Sequence, residues 1–163
     1  MKDLLDKLTT YNIFNYLLPG VLFVVIAKAL TDYDLIQENN LLGAFLYYFV
    51  GMTVSRFGSV IIEPILRKVK FLEFREYKDF VIASKKDVKI ELLSEVNNTY
   101  RTLISMLVLL LILKFYNVLA NYFQIEFAIS FIALTILITA LYLFSYRKQT
   151  KYVVKRIDAN NHP

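Results

Sequence analysis

The sequence predicts an all-α membrane protein whose four transmembrane helices form two hairpins. The first sign is a set of four apolar stretches, at residues 13–30, 41–62, 103–123 and 127–146. A hydrocarbon core about 30 Å thick is crossed by about 20 apolar residues in a helix, and each stretch is close to that length. The composition agrees, because 57% of the 163 residues are hydrophobic and the mean hydropathy is +0.48. Soluble domains usually contain roughly 45–50% apolar residues.

The distribution of lysine and arginine predicts the side on which each loop lies. Of the 19 basic residues, two precede the first span, nine lie in residues 63–101, five follow the last span and three lie within spans. Basic residues favour the cytoplasmic side of a membrane. We therefore expect both termini and residues 63–101 in the cytoplasm. The loops at 31–40 and 124–126 contain no lysine or arginine and carry Asp32, Asp34, Glu38 and Glu126.

The first span is expected to be retained and locally distorted. Tyr11 and Tyr16 stand near its start, where tyrosines commonly anchor a helix at the level of the headgroups. Pro19 cannot donate to the helical ladder and Gly20 follows it, so we predict a kink or a local widening there. The start of the chain is mixed in charge and lacks a small-residue cleavage site, unlike a removed signal peptide.

The second span carries small residues on one face. Gly51, Ser55 and Ser59 are four residues apart, with Gly43 and Gly58 nearby. Small residues at this spacing allow a second helix to approach closely. The partner is either another span of the same chain or a second copy, and we expect a homo-oligomer because so small a bundle buries little surface alone.

A polar cluster is expected where the spans meet the cytoplasm. Arg56 lies within the second span, and charged side chains at such depth usually face a bundle interior, a cavity or a headgroup. Two interpretations remain open: a structural cluster that fixes helix register, or an ion site, a lipid-headgroup site or a gate. The candidate residues are Asn12, Asn15, Ser55, Arg56, Ser59, Glu63, Asn97, Asn98 and Arg101.

Residues 63–101 are predicted to form a cytoplasmic helical hairpin that extends spans 2 and 3. Apolar residues recur at roughly helical spacing after Pro64, and a second helix is expected to begin near Ser84 and Asp87 and to continue into span 3. Such a pair either docks a cytoplasmic protein or packs on itself and the membrane surface. The docking candidates are Phe71, Phe74, Tyr77 and Phe80.

Several classes of site are excluded or disfavoured. The chain has no cysteine and one histidine, His162, so thiol chemistry is excluded and a metal site is not expected. It has four glycines and none of the glycine-rich phosphate or nucleophile motifs, so we expect neither an enzyme nor a bound cofactor. Direct nucleic-acid binding is not expected, because acids balance much of the basic charge in residues 63–101 and the rest serves orientation in the bilayer.

Three strings carry a resemblance to known proteins. They are residues 11–20 (YNIFNYLLPG), residues 55–59 (SRFGS) followed by Glu63 and Pro64, and residues 95–101 (EVNNTYR). These strings resemble a family of small uncharacterised bacterial four-span proteins, and the build resembles membrane components of anti-phage systems, such as Kiwa-type membrane subunits or pore-forming abortive-infection effectors. The resemblance implies a bacterial inner-membrane location and a role for Arg56, Glu63, Asn97, Asn98 and Arg101.

Two functional hypotheses follow for this single membrane domain of residues 1–163, with its basic cytoplasmic tail at 147–163. The first is a non-enzymatic, oligomeric inner-membrane protein that couples a cytoplasmic partner or signal to the bilayer, in bacterial anti-phage defence. The alternative is an ion channel or pore-forming effector gated near Arg56.

Overall fold

The computed structural model describes residues 10–161, in which every regular element is a helix and no strand occurs. Four helices are long and apolar enough to cross a bilayer, which confirms the four predicted spans. Three of the spans extend beyond their predicted ends. The helices are α1, which is Thr10–Asn12 followed by Ile13–Leu30; α2, Asn40–Lys68; α3, Tyr77–Lys86; α4, Lys89–Tyr122; and α5, Phe127–Asn161.

The longest helices project well beyond a bilayer core. The 34 residues of α4 rise about 51 Å at 1.5 Å per residue, against a hydrocarbon core of about 30 Å. The 35 residues of α5 are similar. Polar residues therefore continue both helices outside the apolar region without a break, and the unbroken entry into span 3 is confirmed.

Two π-helical turns interrupt the spans, and each precedes a proline. They are Ile13–Leu17 in α1 and Gly58–Ile62 in α2. In each, the residue before the proline donates to a carbonyl five residues back, Leu18 to Ile13 and Glu63 to Gly58. A proline ring clashes with the carbonyl four residues earlier, and a widened turn relieves that clash. The widening expected at Pro19 is confirmed, and Pro64 has the same effect.

The backbones of α1 and α2 approach closely at two glycines. A Cβ atom on Gly51 would lie 1.7 Å from the carbonyl oxygen of Tyr16, and one on Gly20 would lie 1.8 Å from that of Tyr47. Real Cβ atoms are never so close to another heavy atom, so only glycine fits either position.

An apolar core joins α1, α2 and α4. Ala27, Val54, Met106 and Leu110 are its buried centre. By contrast, the most apolar 18-residue window of α5 buries none of its residues against the rest of the described chain. This helix instead touches α2 through Tyr142, which stacks on Phe49 at 6.1 Å between ring centroids. The bundle is therefore three packed helices with α5 at the side.

The segment between α2 and α4 differs from the predicted helix pair. Helix α2 ends at Lys68, with Lys70 at a φ of 59°, and the next helix is the short α3, which packs on α5 and the start of α4. The predicted helix start near Ser84 is wrong, because α3 runs to Lys86. The Asp87 carboxylate accepts the N–H of Lys89 at 2.9 Å and so begins α4.

The acidic loop after α1 is tied to the far end of α4. The Asp32 carboxylate accepts from the side-chain amides of Asn117 (3.1 Å) and Asn121 (2.8 Å), and these hydrogen bonds lower the pKa of Asp32. The pKa of Asp34 is lowered in the same way by Lys28, whose ammonium lies 2.8 Å from it. Both carboxylates are exposed, so this loop carries negative charge at neutral pH.

Candidate functional site

A buried hydrogen-bond network joins α1, α2 and α4 at one end of the bundle. Asn15, which is fully buried, accepts from the Thr102 hydroxyl at 2.9 Å and donates to Ser55 at 3.4 Å and to the Tyr11 hydroxyl at 3.2 Å. The Thr102 hydroxyl also lies 3.2 Å from that of Ser55. Burial raises the pKa of Tyr11, just before the span, to about 12. Buried amides and hydroxyls must find such partners inside an apolar bundle.

An ion network lies beside the Asn15 network. Glu63 is 8% exposed and its two oxygens have different partners. The Arg101 guanidinium donates to Oε2 at 2.7 Å, and the Lys148 ammonium donates to Oε1 at 3.1 Å. The carboxylate therefore ties α2 to both α4 and α5. We call the end of the bundle where Asn15, Glu63, Arg101 and Lys148 meet the basic end.

Lys148 also completes the π turn of α2. It donates to the Ser59 carbonyl oxygen at 2.6 Å and to the Ser59 hydroxyl at 2.9 Å. In a π turn, the Ser59 carbonyl would accept from the backbone N–H of the residue five positions later. That residue is Pro64, which has no N–H. The N–H of Glu63 is already used by Gly58. The lysine of α5 therefore supplies the donor that the proline withholds.

A large open cavity lies at the basic end. It has a volume of about 1420 Å³ and is bounded by α2, α3, α4, α5 and the link between α2 and α3. Its wall includes the network residues Ser55, Ser59, Glu63, Arg101 and Lys148. The outer wall comes mainly from residues 66–80 and the last turns of α5.

Two basic groups at this cavity have donors without a protein acceptor. Arg56 is half-buried, lines the cavity and forms no hydrogen bond or ion pair with any other residue in the range 10–161. The Nε atom of Arg101 is buried and has no acceptor among the same residues. Of the two terminal nitrogens of Arg101, only Nη1 donates to Glu63, and no described residue accepts from Nη2. Arg56 and the second terminal nitrogen of Arg101 therefore have N–H groups free to bind a ligand in the cavity.

The structure places most of the predicted polar cluster together. Asn15, Ser55, Ser59, Glu63 and Arg101 belong to the two networks. The carbonyl oxygen of Asn98 also lies 2.9 Å from the Thr102 hydroxyl. The remaining four stand around these networks: Arg56, Asn97 and Asn98 line the cavity, and Asn12 lies at the start of α1.

Sequence reasoning missed Thr102 and Lys148. Lys148 counted only as a basic residue of the tail, although Ser145 and Tyr152 stand one turn before and after it on a continuous helix. This helical spacing places Ser145, Lys148 and Tyr152 on one face of α5, and it could have identified Lys148 from the sequence. Thr102 was not among the predicted cluster residues, because only its charged neighbour Arg101 was selected. Lys2, Lys7 and His162 lie outside the described residues.

The small-residue face of α2 contacts three different helices of the same chain. Gly51 packs on α1, Ser55 bonds to α1 and α4, and Ser59 accepts from α5. Gly58 faces α4, since a Cβ there would lie 2.3 Å from the Ser105 hydroxyl. These contacts leave little of the face for a second copy.

The four aromatic docking candidates fall into two groups. Tyr77 and Phe80 are half-buried, and Tyr77 lies 5.6 Å from the Tyr152 ring of α5 between centroids. Phe71 and Phe74 are 74% and 51% exposed, and the Arg67 guanidinium covers one face of the Phe74 ring at 5.1 Å. The surface open to a partner is therefore the link between α2 and α3.

The charged groups of the ion network are held in ion pairs. Both oxygens of Glu63 are engaged by cations, so this carboxylate is not a free base. Residues 10–161 contain no group of three or more histidine, cysteine, aspartate or glutamate side chains able to hold a metal ion. Comparison with models of known families, with curated proteins and with solved structures gives no match.

Proposed function

We propose that this chain is a non-enzymatic multi-pass membrane protein that couples a cytoplasmic partner or signal to the bilayer. The observation that carries the proposal is a continuous path from α3 into the spans. Tyr77 of α3 packs on Tyr152 of α5, and the Lys148 ammonium lies 5.7 Å from the centre of the Tyr152 ring. Lys148 then binds Ser59 and Glu63 of α2.

This path can transmit a displacement of α3 to the spans because α5, the helix that links them, is continuous. Helix α5 is unbroken from Phe127 to Asn161, so Tyr152 and Lys148 move together, one turn apart. A second contact, from the Lys85 ammonium to the Asn160 amide oxygen at 2.8 Å, fixes the other end of α3 to α5. A ligand or partner that shifts α3 would therefore act on the Glu63 ion pairs within the bundle.

The proposal includes an orientation with the basic end in the cytoplasm of a bacterial cell. We expect a cysteine at Lys86 to resist a membrane-impermeant maleimide in intact spheroplasts, and one at Glu38 to react. Both positions are exposed, and the chain has no cysteine of its own. Basic residues at the basic end favour this orientation. The reverse labelling pattern, with equal labelling after lysis as the control, would disprove it.

Coupling predicts that loosening α3 opens the interior of the basic end. We expect Tyr77→Ala to increase the rate at which a cysteine at Ser145 reacts with maleimide by about two- to tenfold, because an aromatic contact is worth about 0.5–1.5 kcal/mol. Ser145 is buried on α5, lines the cavity and lies one turn before Lys148. The measurement is a labelling time course in nanodiscs.

The control for this experiment is Val88→Ala, at a residue close to α3 that is 77% exposed. It should leave the labelling rate of the Ser145 cysteine unchanged. If Tyr77→Ala also leaves the rate unchanged, α3 is not coupled to the spans and the proposal fails.

Oligomerisation is part of the proposal, with α5 as its expected surface. The apolar window of α5 is unburied within the chain, whereas the small-residue face of α2 is largely occupied. A role in anti-phage defence rests on the sequence resemblance. A pore gated near Arg56 is less well supported, since the core around Val54, Met106 and Leu110 fills the space between α1, α2 and α4.

A further inference from the structure

We propose that the cavity at the basic end binds a phosphate-bearing anion, with Arg56 as its principal ligand. The shared chemistry is a phosphate group, carried either by an anionic lipid headgroup or by a soluble phosphate. The inference deepens the proposed coupling function, and its regulatory meaning rests on that function. Binding itself is measured independently of coupling.

Arg56 has no acceptor among the described residues. Its guanidinium lines the cavity. An arginine on a span is costly unless paired, and its planar donors match phosphate oxygens in pairs. A phosphate in the cavity would give this side chain the acceptor that the protein does not.

Arg101 also has a terminal nitrogen without an acceptor. Its Nη1 donates to Glu63 at 2.7 Å, and no described residue accepts from Nη2. The Nε of the same side chain lacks an acceptor too, but it is buried and out of reach of a ligand. Arg56 and Arg101 stand on different helices, so a ligand that serves both must accept from two directions. A tetrahedral phosphate does this more readily than a planar carboxylate.

The positive charge of the cavity lining is unevenly distributed. The outer wall of the cavity contains four basic and four acidic residues, so the formal charge of that wall is balanced. Beside the spans, the three cations Arg56, Arg101 and Lys148 face the single acid Glu63. All of the excess positive charge therefore lies at the inner wall, beside the Ser55 and Ser59 hydroxyls. The outer-wall residues are Arg67, Arg75, Lys78, Lys155, Glu73, Glu76, Asp79 and Asp158.

The cavity is large enough for either source. Its volume of about 1420 Å³ exceeds the roughly 300–1,000 Å³ of ordinary ligand pockets. A phosphate beside Lys148 would compete with Glu63 for that cation, and Lys148 is the link between α5 and α2. Occupancy would thereby reach α3 through Tyr152.

The test uses the full chain purified in a neutral detergent. Dioleoylphosphatidylglycerol and dioleoylphosphatidylcholine are offered as lipid probes and followed by native mass spectrometry. Inorganic phosphate is titrated calorimetrically. We expect one anionic probe to bind and Arg56→Gln to weaken it by about tenfold to a hundredfold, the range for hydrogen bonds to charged groups. Selective retention of phosphatidylglycerol indicates a lipid, and binding of inorganic phosphate indicates a soluble ligand.

The matched control is Arg147→Gln, an exposed arginine of α5 that does not line the cavity, which should leave affinity unchanged. Arg56→Lys keeps the charge without the paired donors and should give an intermediate loss, so it also serves if Arg56→Gln fails to fold. Equal affinity of wild type and both Arg56 variants for every probe, or no binding by wild type, overturns the proposal. Tyr77→Ala should still bind, which separates this result from failure of coupling.

Discussion

Replacing Gly51 with alanine is expected to lower the free energy of unfolding by about 3 kcal/mol, the upper range for overpacking a tight site. The added methyl would lie 1.7 Å from the Tyr16 carbonyl oxygen and 3.0 Å from the backbone nitrogen of Gly20. Both are backbone atoms, so α1 and α2 must separate along their length. For a chain of this size the Tm should fall by about 6–12 °C, measured by fluorescence-detected size-exclusion chromatography after heating.

The control is the same substitution at Gly43, on the same helix. A methyl there would meet the side-chain ring of Tyr47 at 3.2 Å, and a ring can rotate aside. Alanine also favours helix over glycine by up to about 1 kcal/mol. We expect Gly43→Ala to be neutral or stabilising. Equal losses at Gly43 and Gly51 would contradict the close helix approach and indicate a general effect of added volume.

The spans could be predicted from the sequence because a bilayer imposes a simple rule of length and hydropathy. All four appear, and the first matches residues 13–30. The extent of α4 and α5 was only partly foreseen, since polar residues beyond the bilayer follow no such rule. Their continuity depends on the lack of helix breakers there, and on α3 packing against α5.

The members of the polar cluster were predictable, but their partners were not. Polar residues near the ends of several spans must find one another, and this identified Asn15, Ser55, Glu63 and Arg101. The π turn at Gly58–Ile62 then rotates the end of α2 relative to a regular helix. As a result Ser59 and Glu63 meet Lys148 of α5. Pro64 indicated a disturbed helix, but not which side chain would supply the missing donor.

The segment between α2 and α4 was the least predictable part. Its apolar residues fit a helical period, yet residues 69–76 are not helical. The aromatic residues of this segment make tertiary contacts that the sequence alone does not reveal, such as Arg67 over Phe74 and Tyr77 on Tyr152. The sequence pattern predicts that Asp87 belongs to a helix start near Ser84. It acts two residues later, as an acceptor for Lys89.

Removing the charge of Glu63 is expected to have the second large effect. Glu63→Gln keeps the size of the side chain but leaves Arg101 and Lys148 without a counter-charge at a site that is 8% exposed. Breaking a buried ion pair costs about 3–5 kcal/mol, and the same heating assay should show a Tm lower by about 6–20 °C. The control is Lys28→Gln, whose ion pair with Asp34 is as short, at 2.8 Å, but half exposed. It should change the Tm little.

A second substitution separates charge from packing. If Glu63→Gln destabilises by stranding two cations, Glu63→Gln combined with Lys148→Met should recover part of the loss, because one uncompensated charge is removed. Methionine retains the length of the lysine stem, and the remaining Arg101 can still donate to the glutamine oxygen. If Glu63 acts only by filling space, the lysine substitution should add its own loss, since the Ser59 carbonyl then has no donor from α5. Recovery therefore supports charge compensation as the reason that α2, α4 and α5 meet at this residue, and an additive loss contradicts it.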